Sequence, residues 1–173
     1  MKALRLLLQQ RFNKVKMKKT VYLDTTIPSY YYDERESIRA FIDITKQWWN
    51  NERQHHDLLT SETTIAEINS GNYPRKKEII ELIREIEILE INKEIENIVE
   101  VYIKELVMPK GAPGDAFHLA CASFYKVDYL LTWNCNHLAN ANKKQHIQMV
   151  NSRLSLFIPQ IITPLELFIE KDG

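Results

Sequence analysis

Five short apolar runs recur along the chain and alternate with segments of helical periodicity. The runs are residues 21–23, 58–60, 88–91, 129–131 and 160–163. They are short and largely apolar rather than alternating, which is typical of strands buried on both faces of a parallel sheet. Between them, apolar residues recur at three- and four-residue intervals and predict helices over residues 36–50, 61–71, 74–86, 92–106, 114–122 and 143–153. The pattern predicts a three-layer α/β/α fold with a central parallel sheet of about five short strands.

Local signals predict several element boundaries. Pro74 and Pro164 each suit the first turn of a helix, where a missing N–H is not needed. The second of these helices would be a terminal one that runs through Phe168. Asn92 can cap the helix that follows it. Residues 25–32 are expected to form a turn followed by a loop or a first helical turn.

Length and composition predict one soluble domain. The chain has 173 residues, of which 45% are hydrophobic and 27% charged, and no apolar run is long enough to cross a membrane. The two cysteines form no metal-type pair and no disulfide framework, so a reducing, cytoplasmic setting is expected. Residues 1–16 are interpreted as a basic N-terminal extension that is possibly not the native start, and residues 17–173 as the domain.

Charge is unevenly distributed although the net charge is zero. The first 19 residues contain seven basic side chains and no acidic one, whereas residues 78–105 contain nine glutamates. Nucleic-acid-binding domains usually carry a basic surface. The body of this chain has no strong basic cluster, and its glutamate-rich region is most simply interpreted as two solvated helix faces.

Three acidic residues are predicted to meet at one edge of the sheet. Asp24 ends the first strand, Glu67 lies on the helix after the second strand, and Asp115 begins the helix that precedes the fourth strand. Parallel α/β sheets bind ligands beyond the carboxyl ends of their strands. Carboxylates that share such an edge repel one another unless a cation, a shared proton or several hydrogen bonds compensate them. Mg²⁺ or Mn²⁺ suits an all-oxygen site and can support phosphodiester hydrolysis.

Each acid also has a structural explanation. Asp24 could hydrogen-bond the turn that follows its strand. Glu67 could form a capping box with Thr64. Asp115 could complement the dipole of its helix. No single acid is specific, and their common placement is what favours a site.

Four further polar residues are candidates for accessory roles: Thr132, Asn134 and Asn136 at the end of the fourth strand, and His118 on the helix of Asp115. An asparagine can ligate a metal weakly or accept a hydrogen bond from a metal-bound water. His118 shares a helical face with Asp115, so it could contact a carboxylate or phosphate, although a structural histidine is the commoner case. His137 has no role that the sequence indicates.

The motifs that carry these residues resemble those of PIN domains, and in particular VapC-type toxin ribonucleases. They are Val-Tyr-Leu-Asp24-Thr, Ser61-x-x-x-Ile-Ala-Glu67-Ile, Gly-Asp115-Ala-Phe-His-Leu-Ala and Leu-Leu-Thr132-Trp-Asn134. The resemblance implies a PIN-like fold, Mg²⁺ or Mn²⁺ held by Asp24, Glu67 and Asp115, and cleavage of single-stranded RNA. It also implies a possible small antitoxin partner and a possible homodimer.

One departure leaves alternatives open. Many PIN domains carry a fourth acid where this chain has Asn134, so weaker metal binding is expected. A catalytically weak or inactive RNA- or protein-binding module of the same fold is the main alternative. An aspartyl-phosphate phosphatase is a weaker one, because Thr26 stands where a second aspartate is usual in that chemistry.

Overall fold

The computed structural model describes residues 18–169. Its five strands form one parallel sheet in the order β3-β2-β1-β4-β5. The strands are β1 (Lys19–Leu23), β2 (His56–Ser61), β3 (Glu87–Leu89), β4 (Tyr129–Leu131) and β5 (Gln160–Ile162). Each coincides with an apolar run predicted from the sequence, so the expected α/β/α fold with a five-stranded parallel sheet is confirmed.

The α-helices alternate with the strands as predicted. They are α1 (Thr26–Tyr31), α2 (Arg39–Asn51), α3 (Glu62–Ser70), α4 (Lys76–Leu82), α5 (Lys93–Lys104), α6 (Pro113–Phe124) and α7 (Ala141–Arg153). Short 3-10 helices cover Glu36–Ile38, Arg53–His55 and Pro164–Glu166. Within residues 18–169, no helix combines the length and apolarity needed to cross a bilayer.

Two apolar cores lie on opposite faces of the sheet. Successive residues of β1 alternate between them: Tyr22 joins the core beneath α5, α6 and α7, whereas Val21 and Leu23 join the core beneath α1 to α4. Trp48 and Trp49 are buried in the second core, so they serve packing rather than contact with a ligand. The sheet is therefore the middle of three layers. Both of its faces are covered, and the ends of its strands are the parts where a ligand could bind.

Three local predictions were wrong. The helix α1 already begins at Thr26, where a turn was expected, and it continues through the tyrosines, for which a loop or a first helical turn was expected. Pro28 is tolerated because it lies in the first turn. Pro74 precedes α4, whose N-cap is Arg75. The terminal helix is a single 3-10 turn, Pro164–Glu166, closed by a Thr163–Glu166 capping box.

The strand order creates a switch point beside β1. From β1 the chain moves outward through β2 and β3, and it then returns to pair β4 with the other side of β1. Connections therefore leave the carboxyl ends of β1 and β4 in opposite directions and open a crevice between them. Asp24 and Thr132 directly follow these two strands.

Candidate active site

Asp24 is fixed at the carboxyl end of β1 and is 2% exposed. Its Oδ1 accepts hydrogen bonds from the backbone N–H of Thr26 at 3.0 Å and from the Thr26 hydroxyl at 2.5 Å. Its Oδ2 accepts a hydrogen bond from the Thr132 hydroxyl. Burial raises the pKa of Asp24, and the charge of His118 together with these hydrogen bonds opposes the increase. The turn expected at Asp24 is present, and the same bonds aim the carboxylate at the crevice edge.

Glu67 projects from α3 toward the same edge. Its Oε2 accepts a hydrogen bond from the Thr25 hydroxyl and lies 3.1 Å from Nε2 of His118. Its Oε1 lies against the backbone of Gly114, where an added β-carbon would be only 1.8 Å away. Because Gly114 directly precedes Asp115, this contact brings Glu67 beside the start of α6.

The capping role considered for Glu67 is wrong. The N-cap of α3 is Ser61, whose Oγ accepts the backbone N–H of Thr63 at 3.2 Å. Thr64 is already inside the helix, so Thr64 and Glu67 cannot form the capping box that their spacing suggested. The carboxylate of Glu67 instead contacts residues from two other elements.

His118 connects the acidic edge to the interior. Its side chain is 2% exposed, with Nε2 near Glu67 and Nδ1 at 2.8 Å from the Tyr22 hydroxyl. That hydroxyl lies 2.6 Å from Oγ of Ser61. A continuous chain of hydrogen bonds thus runs from Glu67 through His118 and Tyr22 to the N-cap of α3. The histidine orients the acid and is itself oriented by the core.

The electrostatics of the edge centre on His118. Burial lowers the pKa of His118, but the hydrogen bond to Glu67 and the charges of Glu67, Asp24 and Asp115 raise it above its ordinary value. Burial raises the pKa of Glu67, yet His118 and the Thr25 hydroxyl bring it below its ordinary value. All three carboxylates therefore act on one buried imidazole, although they are far apart in the sequence.

Asp115 lies in the first turn of α6, and its side chain is 15% exposed. Its Oδ1 accepts a hydrogen bond from Nδ2 of Asn134 at 2.8 Å, and its Oδ2 lies 2.6 Å from Nδ1 of His137. Oδ1 of Asn134 accepts the backbone N–H of His137 at 3.1 Å. The amide oxygen is thus turned toward the loop, and Asn134 acts as a hydrogen-bond donor to Asp115 rather than as an oxygen ligand.

The accessory residues differ in their placement. Thr132 and His118 contact Asp24 and Glu67, respectively, whereas Asn136 is exposed and offers its backbone carbonyl to Asn140 at 2.9 Å. Across the described residues, no hydrogen bond joins the Asn136 side chain to an acid. His137 belongs to the site because it contacts Asp115, although the sequence indicated no role for it. Its one sequence signal is its position three residues after Asn134, in the loop that follows β4.

The donor set has the chemistry that a divalent ion requires. Three carboxylates supply oxygen ligands of the kind that Mg²⁺ and Mn²⁺ prefer, and Oε1 of Glu67 has no hydrogen-bond donor among residues 18–169. However, no group of three or more His, Cys, Asp or Glu side chains in that part of the chain is spaced to hold a metal ion. Side-chain rotation would therefore have to bring the three carboxylates onto one ion.

No family model and no curated protein sequence matches the chain. Among solved structures, it is similar to VapC20 of Mycobacterium tuberculosis, described as a sarcin-ricin loop cleaving toxin. The TM-score is 0.55 at 9% sequence identity, over 70% of this chain and 95% of that chain. This chain has a PIN-like fold.

A second structure with the PIN-like fold is more distantly similar. It is VapBC2 from Rickettsia felis bound to a DNA fragment from its promoter, with a TM-score of 0.47 and 12% identity over 83% of this chain and 98% of that one. At such identities structural similarity establishes the fold alone. The chemistry of this PIN-like chain has to be argued from its own residues.

Proposed function

We propose that the protein is a metal-dependent endoribonuclease that hydrolyses phosphodiester bonds of single-stranded RNA. The observation that carries the proposal is the position of Glu67 at the switch point of a parallel sheet, between the neighbours of the other two acids. Its carboxylate contacts Thr25, which follows Asp24, and Gly114, which precedes Asp115. Such a crevice is where open α/β sheets place their ligands. The PIN-like fold is shared with VapC20, a sarcin-ricin loop cleaving toxin.

The three acids would hold Mg²⁺ or Mn²⁺. Such an ion lowers the pKa of a bound water and neutralises charge that develops on the phosphate. The surrounding residues prepare the acids for this role. Thr26 and Thr132 hold Asp24, Thr25 and His118 hold Glu67, and Asn134 and His137 hold Asp115. Supporting hydrogen bonds of this kind orient ligating groups and tune their basicity.

A toxin role belongs to the same proposal. A ribonuclease of this class would need a protein inhibitor in the cell that produces it, and a small antitoxin that covers the acidic crevice would serve. A homodimer is a further possibility suggested by the resemblance to VapC-type proteins. Co-expression with the neighbouring open reading frame, followed by size-exclusion chromatography, tests both assemblies at once.

A cleavage assay tests the proposal directly. Purified protein is incubated with single-stranded RNA and Mn²⁺ or Mg²⁺, in parallel with Asp24→Asn, Asp115→Asn and a control variant, Asp57→Asn. Asp57 is an exposed acid near the start of β2, at the opposite edge of the sheet. Cleavage should disappear with EDTA and fall at least about 100-fold in the two site variants. Residual cleavage that is equal in all four proteins would point to a contaminating nuclease and would contradict the proposal.

A second candidate is a non-catalytic RNA- or protein-binding module. The observation in its favour is that each carboxylate already has protein hydrogen-bond donors, with no metal-competent group of three within residues 18–169. This module would bind its partner equally well with EDTA or Mn²⁺ and would show no turnover. Binding without cleavage, unchanged in Asp24→Asn, would favour it over the nuclease.

A further inference from the structure

A cleft lies beside the acidic crevice, between the loop after α1 and the loop before α4. Its volume is about 470 Å³, within the roughly 300–1,000 Å³ typical of small-molecule sites. It is lined by Asp33, Glu34, Arg35, Asn72, Tyr73 and Pro74. We call it the Tyr73 cleft. None of its lining residues belongs to the acid set described above.

The Tyr73 cleft adjoins the helix that carries Glu67. At Gly71, an added β-carbon would lie 2.4 Å from the Tyr73 ring and 2.9 Å from the backbone carbonyl oxygen of Glu67. Tyr73 therefore folds back over the carboxyl end of α3. Burial raises the pKa of Tyr73, and the charges of Glu67 and Asp24 raise it further. This agrees with a Tyr73 ring that lies near these two acids.

An arginine faces the same cleft. Arg35 is bound by Asp33, with Nε at 3.0 Å from both carboxylate oxygens and Nη2 at 2.6 Å from Oδ2. This pairing neutralises Asp33 and fixes the guanidinium, which stays 63% exposed and lies 6.0 Å from the centre of the Tyr30 ring. Among the described residues Nη1 has no hydrogen-bond partner, and a planar guanidinium suits phosphate oxygens.

The other aromatic residues of this region are already engaged. Tyr31 packs against Tyr32 and Trp49, with ring centres 5.1 and 5.8 Å away. Tyr32 is covered by the guanidinium of Arg75 at 4.6 Å. Tyr73 is thus the aromatic side chain that lines the cleft. It is half-buried against the core beneath α1 to α4, and within residues 18–169 no other aromatic ring stacks on it.

We propose that the Tyr73 cleft binds one nucleotide of single-stranded RNA next to the scissile phosphodiester, with the base stacked on Tyr73 and its phosphate bound by Arg35. The proposal rests on the ribonuclease function proposed for the acids and names part of the substrate site. Stacking on aromatic rings tolerates any base and requires an unpaired strand. The cleft would thus select single strands and set the register of cleavage.

Binding without turnover tests the cleft separately from catalysis. A six-nucleotide RNA that carries 2-aminopurine is titrated with protein in EDTA, and fluorescence reports base stacking. Tyr73→Ala and Arg35→Ala should each weaken binding about 10-fold. Arg35→Ala should also reduce the slope of log affinity against log salt concentration by about one, the amount expected for one lost phosphate contact. Tyr73→Phe keeps the ring and should bind within about 2-fold of wild type.

Arg84→Ala is the matched control for Arg35. Arg84 is also exposed and paired with a nearby acid, Glu81, at 3.0 Å, but it lies near the opposite edge of the sheet. Its loss should leave binding unchanged. Equal binding by Tyr73→Ala, Arg35→Ala and wild type, or equal binding of the same sequence as a duplex, would overturn the proposal.

The outcomes also separate this proposal from the ribonuclease function. If the cleft variants lose binding but wild type never cleaves RNA, the cleft is supported and the nuclease is not. If wild type cleaves and the two alanine variants keep the wild-type KM, the nuclease stands and the cleft is wrong. If both hold, the alanine variants raise KM about 10-fold with little change in kcat.

Discussion

The Oε1 atom of Glu67 occupies space that is available because residue 114 has no side chain: a β-carbon there would lie 1.8 Å from this oxygen. None of the described glycines has a positive φ, so the backbone of Gly114 does not itself require glycine. What requires it is the close approach of an acid from α3 to the first turn of α6. Gly114 thus connects backbone packing to the placement of the candidate ligands.

Gly114→Ala is expected to separate stability from site geometry. Alanine favours helical backbone over glycine by about 0.5–1 kcal/mol, and the clashing atom is the end of a flexible side chain, which can move. The free energy of unfolding should therefore change by less than about 1 kcal/mol. The affinity for Mn²⁺ should fall at least about 10-fold because Glu67 is displaced.

Gly111→Ala is the control for that experiment, since an added β-carbon at Gly111 meets no atom within 4 Å. It should leave Mn²⁺ affinity unchanged. Urea titrations give the stabilities, and calorimetric titration of Mn²⁺ gives the affinities. If Gly114→Ala binds Mn²⁺ as tightly as Gly111→Ala, the position of Glu67 is irrelevant to metal binding.

His118→Ala should lower the free energy of unfolding by about 1–3 kcal/mol, because it leaves the Tyr22 hydroxyl and Glu67 without their shared partner. A double-mutant cycle with Glu67→Gln measures the pair specifically and should give a coupling of about 0.5–3 kcal/mol. The exposed His55 supplies the control, with a change within about 0.5 kcal/mol for His55→Ala. Strict additivity of His118→Ala and Glu67→Gln would show that the two side chains do not interact.

Asn134→Asp should tighten Mn²⁺ binding and destabilise the metal-free protein. The amide now donates to Asp115 at 2.8 Å, and a carboxylate there would replace this hydrogen bond by repulsion between two acids. A divalent ion would relieve that repulsion. We expect Mn²⁺ affinity to increase at least about 10-fold and the melting temperature without metal to fall. Equal affinities in the two proteins would refute the expectation that Asn134 weakens the site.

Asp128 predicts a pH dependence of stability away from the site. Its Oδ2 accepts the N–H of Thr20 at 3.0 Å and the Thr20 hydroxyl at 2.9 Å, and Lys19 binds Oδ1 at 2.5 Å. Burial raises the pKa of Asp128, but Lys19 and Thr20 lower it below its ordinary value. The stabilisation is therefore complete above the unfolded pKa near 3.9 and is lost as the pH falls toward the lower folded value.

Asp128→Asn should accordingly reduce the free energy of unfolding by about 1–2 kcal/mol at pH 7, and the difference from wild type should shrink below about pH 4. Urea unfolding at pH 7 and pH 3 measures both values. Asp43→Asn removes an exposed pair with Arg39 at 3.3 Å and should change little at either pH. A difference for Asp128→Asn that is the same at both pH values would contradict the assigned pKa shift.

The strands were predictable because each contains a short apolar run, and a buried parallel strand has few other sequence signatures. Elements that lack an apolar run or a clear helical periodicity were not predictable. The sequence of α1, with Pro28 and adjacent tyrosines, has low helix propensity, and its helical form depends on Ile27 packing into the core. Pro164 begins only a 3-10 turn, because a proline specifies where a helix starts and not how long it is.

The acids could be assigned to one edge from strand ends alone, whereas their hydrogen-bond partners could not. The contact between Glu67 and Gly114 depends on how α3 and α6 pack, and no local pattern encodes it. Likewise, the turn of Asn134 toward Asp115 and the approach of His137 depend on the path of the loop after β4. Metal binding by the three acids remains a prediction from their chemistry and placement.

Mn²⁺ binding to the wild-type protein and to three single variants, followed by the electron paramagnetic resonance of the free ion, tests that prediction most directly. The variants are Asp24→Asn, Glu67→Gln and Asp115→Asn, with Asp57→Asn as control. We expect saturable binding in the wild type and control, and at least about 10-fold weaker binding in each of the three variants. Binding that is absent from the wild type, or equally tight in all five proteins, would contradict a metal ion shared by these acids.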